Sequence, residues 1–597
     1  MRAITKGISR HFPVIGVMRS YRREDLSHDL IAGIVVGMLT VPQAVAYALL
    51  AGLPAEAGLY ACLAPMVIHA LLSSSRQLIV GPVAIAALMV ASTVGEHAPA
   101  YSDAYLGITT VLSLQVGLIL WLLRLLQVGG IVNLLSHPVI SGFVNGAAIL
   151  IIVSQLAPLS GIGGTTPRLG DGTAAGLVSL AGSLAAVNPA ALALGVASLL
   201  VMAAFRRWGS ALPRLWRSGE SVTSHPLTRI GPVLLLVDRT ALVAILVVDV
   251  PLVGSVPAGL PSLTLPVFDA GLWWDLAPNA LLIALVAYVE SYSVGKTLAS
   301  RQRQRIDSHQ ELLALGAANV AAAFSGAYPV AGSFSRSSLN YASGARTPAS
   351  ALVCGAVIVA TLLWLTPIFV HLPHAVLAAI VIVAVYELAD FRSVLRDRRF
   401  YRPDVVTHFA TFASVLLGGV EVGLVVGVAV SLVLFMRGSA RPHIAVVGRL
   451  GDTPHFRNVE RYTVKTWPHL VAARVDESFY FANADTVEDR LAELAVPQPG
   501  QEPAVKHLLV IMSAVNFIDS TGLEMLKRLT LRLEKREVSL HLCEIKGPVR
   551  DQLGHVNIDE WLTGEVFRTT DDAFNALTAA AGRWVWSGGE DAAPKET

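Results

Sequence analysis

At 597 residues, with 54% hydrophobic and only 15% charged residues, the chain is too apolar for an ordinary soluble enzyme. A net charge of +2 gives no footprint for a nucleic-acid partner. Three scattered cysteines, Cys62, Cys354 and Cys543, offer neither a disulfide framework nor a metal site, and no cofactor motif is present.

Residues 1–29 are basic and partly amphipathic, with Arg19, Arg22 and Arg23 just ahead of the first apolar run. They lack an apolar core followed by a small-residue cleavage site, so no signal peptide is expected. Fourteen hydrophobic segments follow, roughly 30–51, 55–73, 82–97, 104–127, 138–158, 174–204, 229–250, 277–297, 309–327, 334–346, 349–370, 373–389, 404–420 and 422–437. Arginines gather in the loops after even-numbered segments: Arg76, then Arg206, Arg207, Arg214 and Arg217, then Arg301, Arg303 and Arg305, then Arg392 to Arg402. Odd loops such as 251–276 hold almost none, which predicts a cytoplasmic amino terminus. Asp238 and Arg239 fall inside the seventh segment, and as neighbours on a helix they point different ways, so a simple pair does not follow.

Two segments are short and open with helix breakers, one after Gly81-Pro82 and the other after Pro329 to Gly332. Each lies two segments downstream of a helix punctuated by polar residues, the first holding Pro42-Gln43 and the eighth holding Glu290. Broken helices at matching positions of two halves point to a seven-plus-seven inverted repeat with a site near the midplane. The stretch Tyr328–Arg346 is polar although apolar runs flank it, and Ser333, Ser335 and Ser337 suit the start of a new helix. A helix that begins inside a membrane aims unpaired N–H groups and a positive dipole end into its surroundings. Arg336 adds a full charge there, at roughly 2.5–3.5 kcal/mol on insertion scales, which an anion opposite would offset.

From Leu470 the period changes. Leu470–Val475, His507–Ile511 and Val538–Glu544 read as strands, with amphipathic helices at Thr486–Leu494 and Thr521–Lys535, giving a βαβ-type domain with a mostly parallel sheet. The tail from Ser587 is Gly-, Asp- and Glu-rich and reads as disordered. The expected organisation is a cytoplasmic segment 1–29, a membrane domain 30–438, a soluble domain 439–586 and the tail 587–597.

Several motifs share one resemblance. Val41-Pro42-Gln43-Ala44-Val45-Ala46-Tyr47-Ala48, Gly58-Leu59-Tyr60, Ser75-Arg76 with Val80-Gly81-Pro82-Val83, Ser136-His137-Pro138-Val139-Ile140-Ser141-Gly142-Phe143, the span around Glu290, and Gly326 through Ser338 resemble the sulfate permease family, solute carrier family 26. Asn516-Phe517-Ile518-Asp519-Ser520-Thr521-Gly522-Leu523 is similar to the STAS domain that such permeases carry. The resemblance implies an α-helical polytopic membrane protein with a carboxy-terminal α/β STAS domain, commonly a homodimer. In it a core of segments 1–4 and 8–11 moves like an elevator against a gate of segments 5–7 and 12–14.

It also implies an anion held between the third and tenth segments, with Gln43 and Tyr47 contributing from the first, Val83 from the third, and Phe334, Ser335 and Arg336 from the tenth. Glu290 would carry the coupling proton, as a glutamate does at this position in proton-cotransporting members. Blander readings stand beside these: a direct Arg336–Glu290 ion pair, cross-helix bonding by Gln43 and Tyr47, and a purely capping role for Asp519-Ser520-Thr521 rather than a phosphosite at Thr521. The expected function is proton-coupled uptake of a small oxyanion, sulfate first, across the plasma or inner membrane. Bicarbonate, a C4-dicarboxylate or a passive anion channel are the alternatives.

Overall fold

The computed structural model describes residues 13–127, 136–162, 173, 177–178, 181–208, 235–243, 245, 248–386, 389, 401–496, 505–579 and 584–587. The chain forms two compact units that divide between Ser431 and Leu432.

The first unit is helical. A short helix α1 (Pro13–Arg19) precedes α2 (Arg23–Leu50), whose start is closed by Asp25 accepting from the Arg22 amide at 2.9 Å. Next come α3 (Ala55–Tyr60), α4 (Ala64–Leu72), a two-residue strand β1 (Val80–Gly81), α5 (Ala84–Gly95), α6 (Asp103–Leu125), α7 (His137–Leu159) and α8 (Pro189–Trp208). The second half supplies α9 (Ala270–Arg301), α10 (Ser308–Phe324), β2 (Ala331–Gly332), α11 (Phe334–Ala342), α12 (Ala349–Ala360), α13 (His374–Tyr386) and α14 (Arg402–Ala440). Gly419, at φ 83°, breaks α14 into two runs because a left-handed residue cannot continue a right-handed helix. Among the described residues seven helices are long and apolar enough to cross a membrane, and α5, the Pro189–Ala204 part of α8, and α13 are shorter apolar ones.

Within the seventh hydrophobic segment, helix is described at 235–243 and 245. There Arg239 Nε sits 3.5 Å from Asp238 Oδ2, with the Asp238 side chain 69% accessible. The two do pair, and the carboxylate is not buried in the helix packing.

Helices α2, α4, α5, α6, α9, α10, α11 and α12 pack mainly on one another, while α7, α8 and α13 form a second group that meets the first where α13 packs on α2 and α7 on α5. This grouping is in line with the core and gate that the family resemblance implies. Buried carboxylates tie the first group together. Asp29, fully buried on α2, accepts from the Arg346 amide (2.8 Å), the Thr347 amide (3.1 Å) and the Thr347 hydroxyl (2.5 Å). Glu311 on α10 accepts from the Ser73 and Ser74 hydroxyls and the Ser74 amide, each at 2.8 Å, and lies 3.3 Å from His69 Nε2. Each loop so held leads into or out of a half-helix.

The second unit is α/β. Its strands are β3 (Ile444–Arg449), β4 (Phe456–Asn458), β5 (Val464–Thr466), β6 (Leu470–Val475), β7 (His507–Ile511), β8 (Ser539–Cys543), β9 (Val566–Phe567) and β10 (Val585–Ser587). Helices α15 (Ala484–Leu494), α16 (Ser520–Glu534), α17 (Gly547–Gly554) and α18 (Thr570–Thr578) join them. Strands β6 to β9 pair in parallel as the periodicity predicts, but β3, β4, β5 and β10 add an antiparallel flank, so the sheet is mixed. Residues 588–597 of the predicted tail lie outside the described residues, and Ser587 ends β10.

Under one face of this sheet His541 Nδ1 accepts from the Glu565 amide (3.0 Å), and its Nε2 lies 3.1 Å from His507 Nδ1. Burial pushes the His541 pKa down to about 4 and that of His507 in the same direction, with His469 and Lys506 adding to the latter. A folded pKa below the unfolded value means the unfolded state binds more protons as pH falls. The stability is therefore complete above about pH 6.5 and drains away towards pH 4. Hydrogen exchange at β7 and β8, corrected for intrinsic rates, should quicken between pH 6.5 and 5 and do so less in His541→Asn. In the membrane unit, Asp29→Ala orphans two buried donors and a part-buried one and should cost about 3 kcal/mol, read as a lowered melting temperature of the purified protein.

Candidate functional site at the paired half-helices

The two halves of the membrane unit meet at a backbone ribbon. Strands β1 and β2 pair antiparallel, with Val80 opposite Gly332 and Gly81 opposite Ala331, and each runs at once into a short helix, α5 or α11. Strands of two residues cannot satisfy their own backbone, so side chains complete the job. Ser337 Oγ accepts from the Ile79 amide (2.9 Å), Asn340 donates to the Gln77 carbonyl (3.1 Å), and Ser291 Oγ accepts from the Gly332 amide (2.7 Å). Asn319 closes the far side, accepting from the Val330 amide (2.9 Å) and donating to its carbonyl (3.1 Å). The polar character of Tyr328–Arg346 thus has a local cause: it stitches one half to the other.

Ser333 caps α11, its hydroxyl accepting from the Arg336 amide. Arg336 follows in the first turn and is fully buried. Its Nη2 donates to the Pro82 carbonyl at 2.5 Å, while Nη1 and Nε have no partner. Gly81 lets the guanidinium lie this close, since a Cβ there would be 2.8 Å from Nη1. Val83, buried, is the N-cap residue of α5.

Gln43 and Tyr47, one turn apart on α2, are both buried, and Gln43 Oε1 has no partner. The Arg336 charge acts on Tyr47 and on Glu290. Glu290 Oε2 is buried without a hydrogen bond, and no Arg336–Glu290 ion pair within 4.0 Å occurs among the described residues. A direct structural pair is therefore not how either charge is held. Ser335 is half-buried, its hydroxyl 3.3 Å from that of Ser333, and Phe334 is 45% exposed. Thr521 lies in the other unit, in the first turn of α16, where Asp519 rather than Thr521 caps the helix by accepting from the Gly522 amide at 2.8 Å.

Three neighbours escaped the sequence reading. Cys62 and Tyr328 are fully buried within reach of the Arg336 charge, and the Tyr328 hydroxyl lacks a partner. Ser291 anchors the ribbon from α9. Only Tyr328 carried a signal, as the first residue of the polar stretch.

Around Arg336, then, donors converge: two unpartnered guanidinium nitrogens, an unpartnered tyrosine hydroxyl and the electropositive starts of two half-helices. Such a set suits an oxyanion. Residues 26–411 match the sulfate permease family and residues 461–573 match the STAS domain. The chain belongs to the sulfate permease family. Sulfate transporter 4.1, chloroplastic, of Arabidopsis thaliana is 35% identical over 553 residues, covering 90% of this chain and 78% of that protein. A probable sulfate transporter of Mycobacterium tuberculosis strain H37Rv is 31% identical over 570 residues, covering 95% and 98%. Murine solute carrier 26 family member A9 in the inward-facing state shares the fold, with a TM-score of 0.86 at 24% identity, covering 98% of this permease and 95% of that chain. The transmembrane domain of a cyanobacterial bicarbonate transporter, BicA, matches at a TM-score of 0.57 and 22% identity, over 69% of this permease and 98% of that domain. The permease is thus a membrane anion transporter rather than an enzyme. Ser291→Ala removes the acceptor of a buried amide from its ribbon and should destabilise it by about 1–3 kcal/mol, measurable as a lower melting temperature in detergent.

Proposed function

We propose that this permease is a secondary active sulfate transporter that moves its anion with a proton by an elevator motion. One observation carries the reading: a fully buried arginine, with two of its nitrogens unpartnered, sits where two half-helices begin. Both helix ends are electropositive, so they add to the Arg336 charge instead of offsetting it. A divalent tetrahedral oxyanion complements that set, and Arg supplies forked donors in the matching geometry. Gln43, Tyr47 and the α5 start at Val83 would close the sides, with Ser335 and Phe334 at the mouth. The names of the curated relatives favour sulfate over other oxyanions.

Glu290 makes the coupling. Its carboxylate near an anion must be neutralised, and the unpartnered oxygen leaves room for a proton. With the proton on, the site accepts the dianion; with it off, the carboxylate takes the anion's place beside Arg336. The tied α2–α12 group would carry the site as one body against α7, α8 and α13. We place the permease in the plasma or inner membrane, with the amino terminus and STAS unit cytoplasmic, as a homodimer; the arginine-rich even loops support that orientation.

Uptake of labelled sulfate into liposomes, with and without an inward proton gradient, tests the reading. Gradient-driven accumulation is the expected result. Absence of sulfate uptake in vesicles that accumulate bicarbonate or a C4-dicarboxylate would move the substrate and leave the site in place. Arg336→Ala should cut sulfate affinity at least about a hundredfold, as loss of a buried charged partner implies, while the protein still elutes as a folded species. Glu290→Gln should keep sulfate exchange yet lose its dependence on the proton gradient; unchanged gradient-driven uptake would remove Glu290 from the coupling.

A further inference from the structure

A cavity of about 250 Å³ opens beside α1 in the membrane unit. At about 30 Å³ per water, it has room for more than one small oxyanion. Its walls are α1 and the turn after it (Val17, Ser20, Tyr21), the start of α2 (Asp25), Arg76 ahead of β1, Gln302 and Gln304 after α9, and Arg346 with Thr347 after α11. Among the described residues every wall comes from the amino-terminal segment or from core elements, and the cavity shares no lining residue with the site around Arg336.

Its chemistry is that of an anion site. Two guanidiniums face the Asp25 carboxylate, which is already engaged by the Arg22 amide (2.9 Å) and by Arg346 Nη1 (3.1 Å), and the exposed Glu24 carboxylate lies 4.0 Å from the same Nη1. The exposed Arg76 makes no hydrogen bond or ion pair among the described residues. Gln302 Oε1 accepts from Gln77 (2.8 Å) and from Gln304 (2.9 Å), which leaves the Gln302 amide nitrogen without a partner among the described residues. The Tyr21 hydroxyl is buried beside Asp29, whose carboxylate is the acceptor at hand. Donors of two kinds, the Arg76 guanidinium and the Gln302 amide, are thus unspent around one hollow, with a volume beyond a bare ion.

We propose that this cavity binds a phosphate monoester group, carried by a lipid headgroup or a soluble metabolite, and that the bound group clamps the amino-terminal helix to the core. Arg76 and Arg346 hold the phosphate, and Gln302 donates to its oxygens. Because α1 forms one wall, occupancy shields the exposed Arg19, Arg22 and Arg23 from trypsin.

The test is the rate of tryptic cleavage at those three arginines in the full chain. One arm adds glycerol 3-phosphate to the protein in detergent; the other compares phosphatidylcholine vesicles with and without phosphatidic acid. Slowing in both arms identifies the group as such, and slowing with phosphatidic acid alone assigns it to the lipid. Arg76→Gln, which breaks no contact among the described residues, should weaken the protection about tenfold, and Gln304→Glu should do likewise by adding a repelling charge. Arg336→Ala should leave it intact. No slowing in either arm, protection indifferent to Arg76→Gln and Gln304→Glu, or protection lost in Arg336→Ala overturns the proposal.

Discussion

The membrane unit depends on how it holds one charge. Arg336 is fully buried in a chain region where a cation costs roughly 2.5–3.5 kcal/mol on insertion scales. A single carbonyl, that of Pro82, answers it directly. Proline is apt here because it has no amide hydrogen of its own to aim at the guanidinium. The N-terminal turns of α5 and α11 contribute further positive potential, so the local field is unbalanced in the absence of an anion or an ionised Glu290. The imbalance is held in place by the surrounding structure rather than relaxed by a salt bridge. An ion-paired arginine would have its donors spent; this one keeps two nitrogens in reserve.

Holding that arrangement demands stiffness, and it comes from polar side chains spent on backbone. Ser291, Asn319, Ser337 and Asn340 each satisfy a ribbon or loop group that two-residue strands leave open. Asp29 and Glu311 do the same for the loops at the outer ends of α11 and α4. Every one of these ties joins elements of the core. Between core and gate the packing of α13 on α2 is largely apolar, with a polar link from Thr93 to Glu421 at 3.0 Å just past the Gly419 break. Directional bonds resist sliding and apolar contacts resist it far less. The polar ties are thus concentrated within the core.

Much of this was legible in the residues, and the reasons for the exceptions are physical. Pro82, Gly332, Ser333 and Arg336 announce a helix start inside apolar surroundings, because breakers, caps and a lone charge have no other economical use there. Ser291, by contrast, sits in an apolar helix where a serine commonly bonds its own helix; it does so, to Ala287, and nothing local reveals that it also accepts from Gly332. Cys62 reads as a small apolar residue, and its place beside Arg336 is set only by tertiary packing. In the second unit the strands buried on both faces stood out as continuous apolar runs, whereas β4, β5 and β10 are three residues each and too short for any period to show. The Asp238–Arg239 pair confounded helix geometry because adjacent side chains can still meet at an exposed position.

The two halves of the ribbon also explain why both faces of the core are linked. Arg76 lies four residues before Val80, and Arg346 lies four residues after Ala342, so the same short stretches that build the ribbon carry the arginines of the amino-terminal cavity. Gln77 bridges them: its side chain donates to Gln302 in the cavity wall, and its carbonyl accepts from Asn340 on α11. Both loops are therefore tied to α11 by hydrogen bonds. The half-helix that bears Arg336 is only nine residues long, so the ties at its far end and the guanidinium at its start belong to one short element.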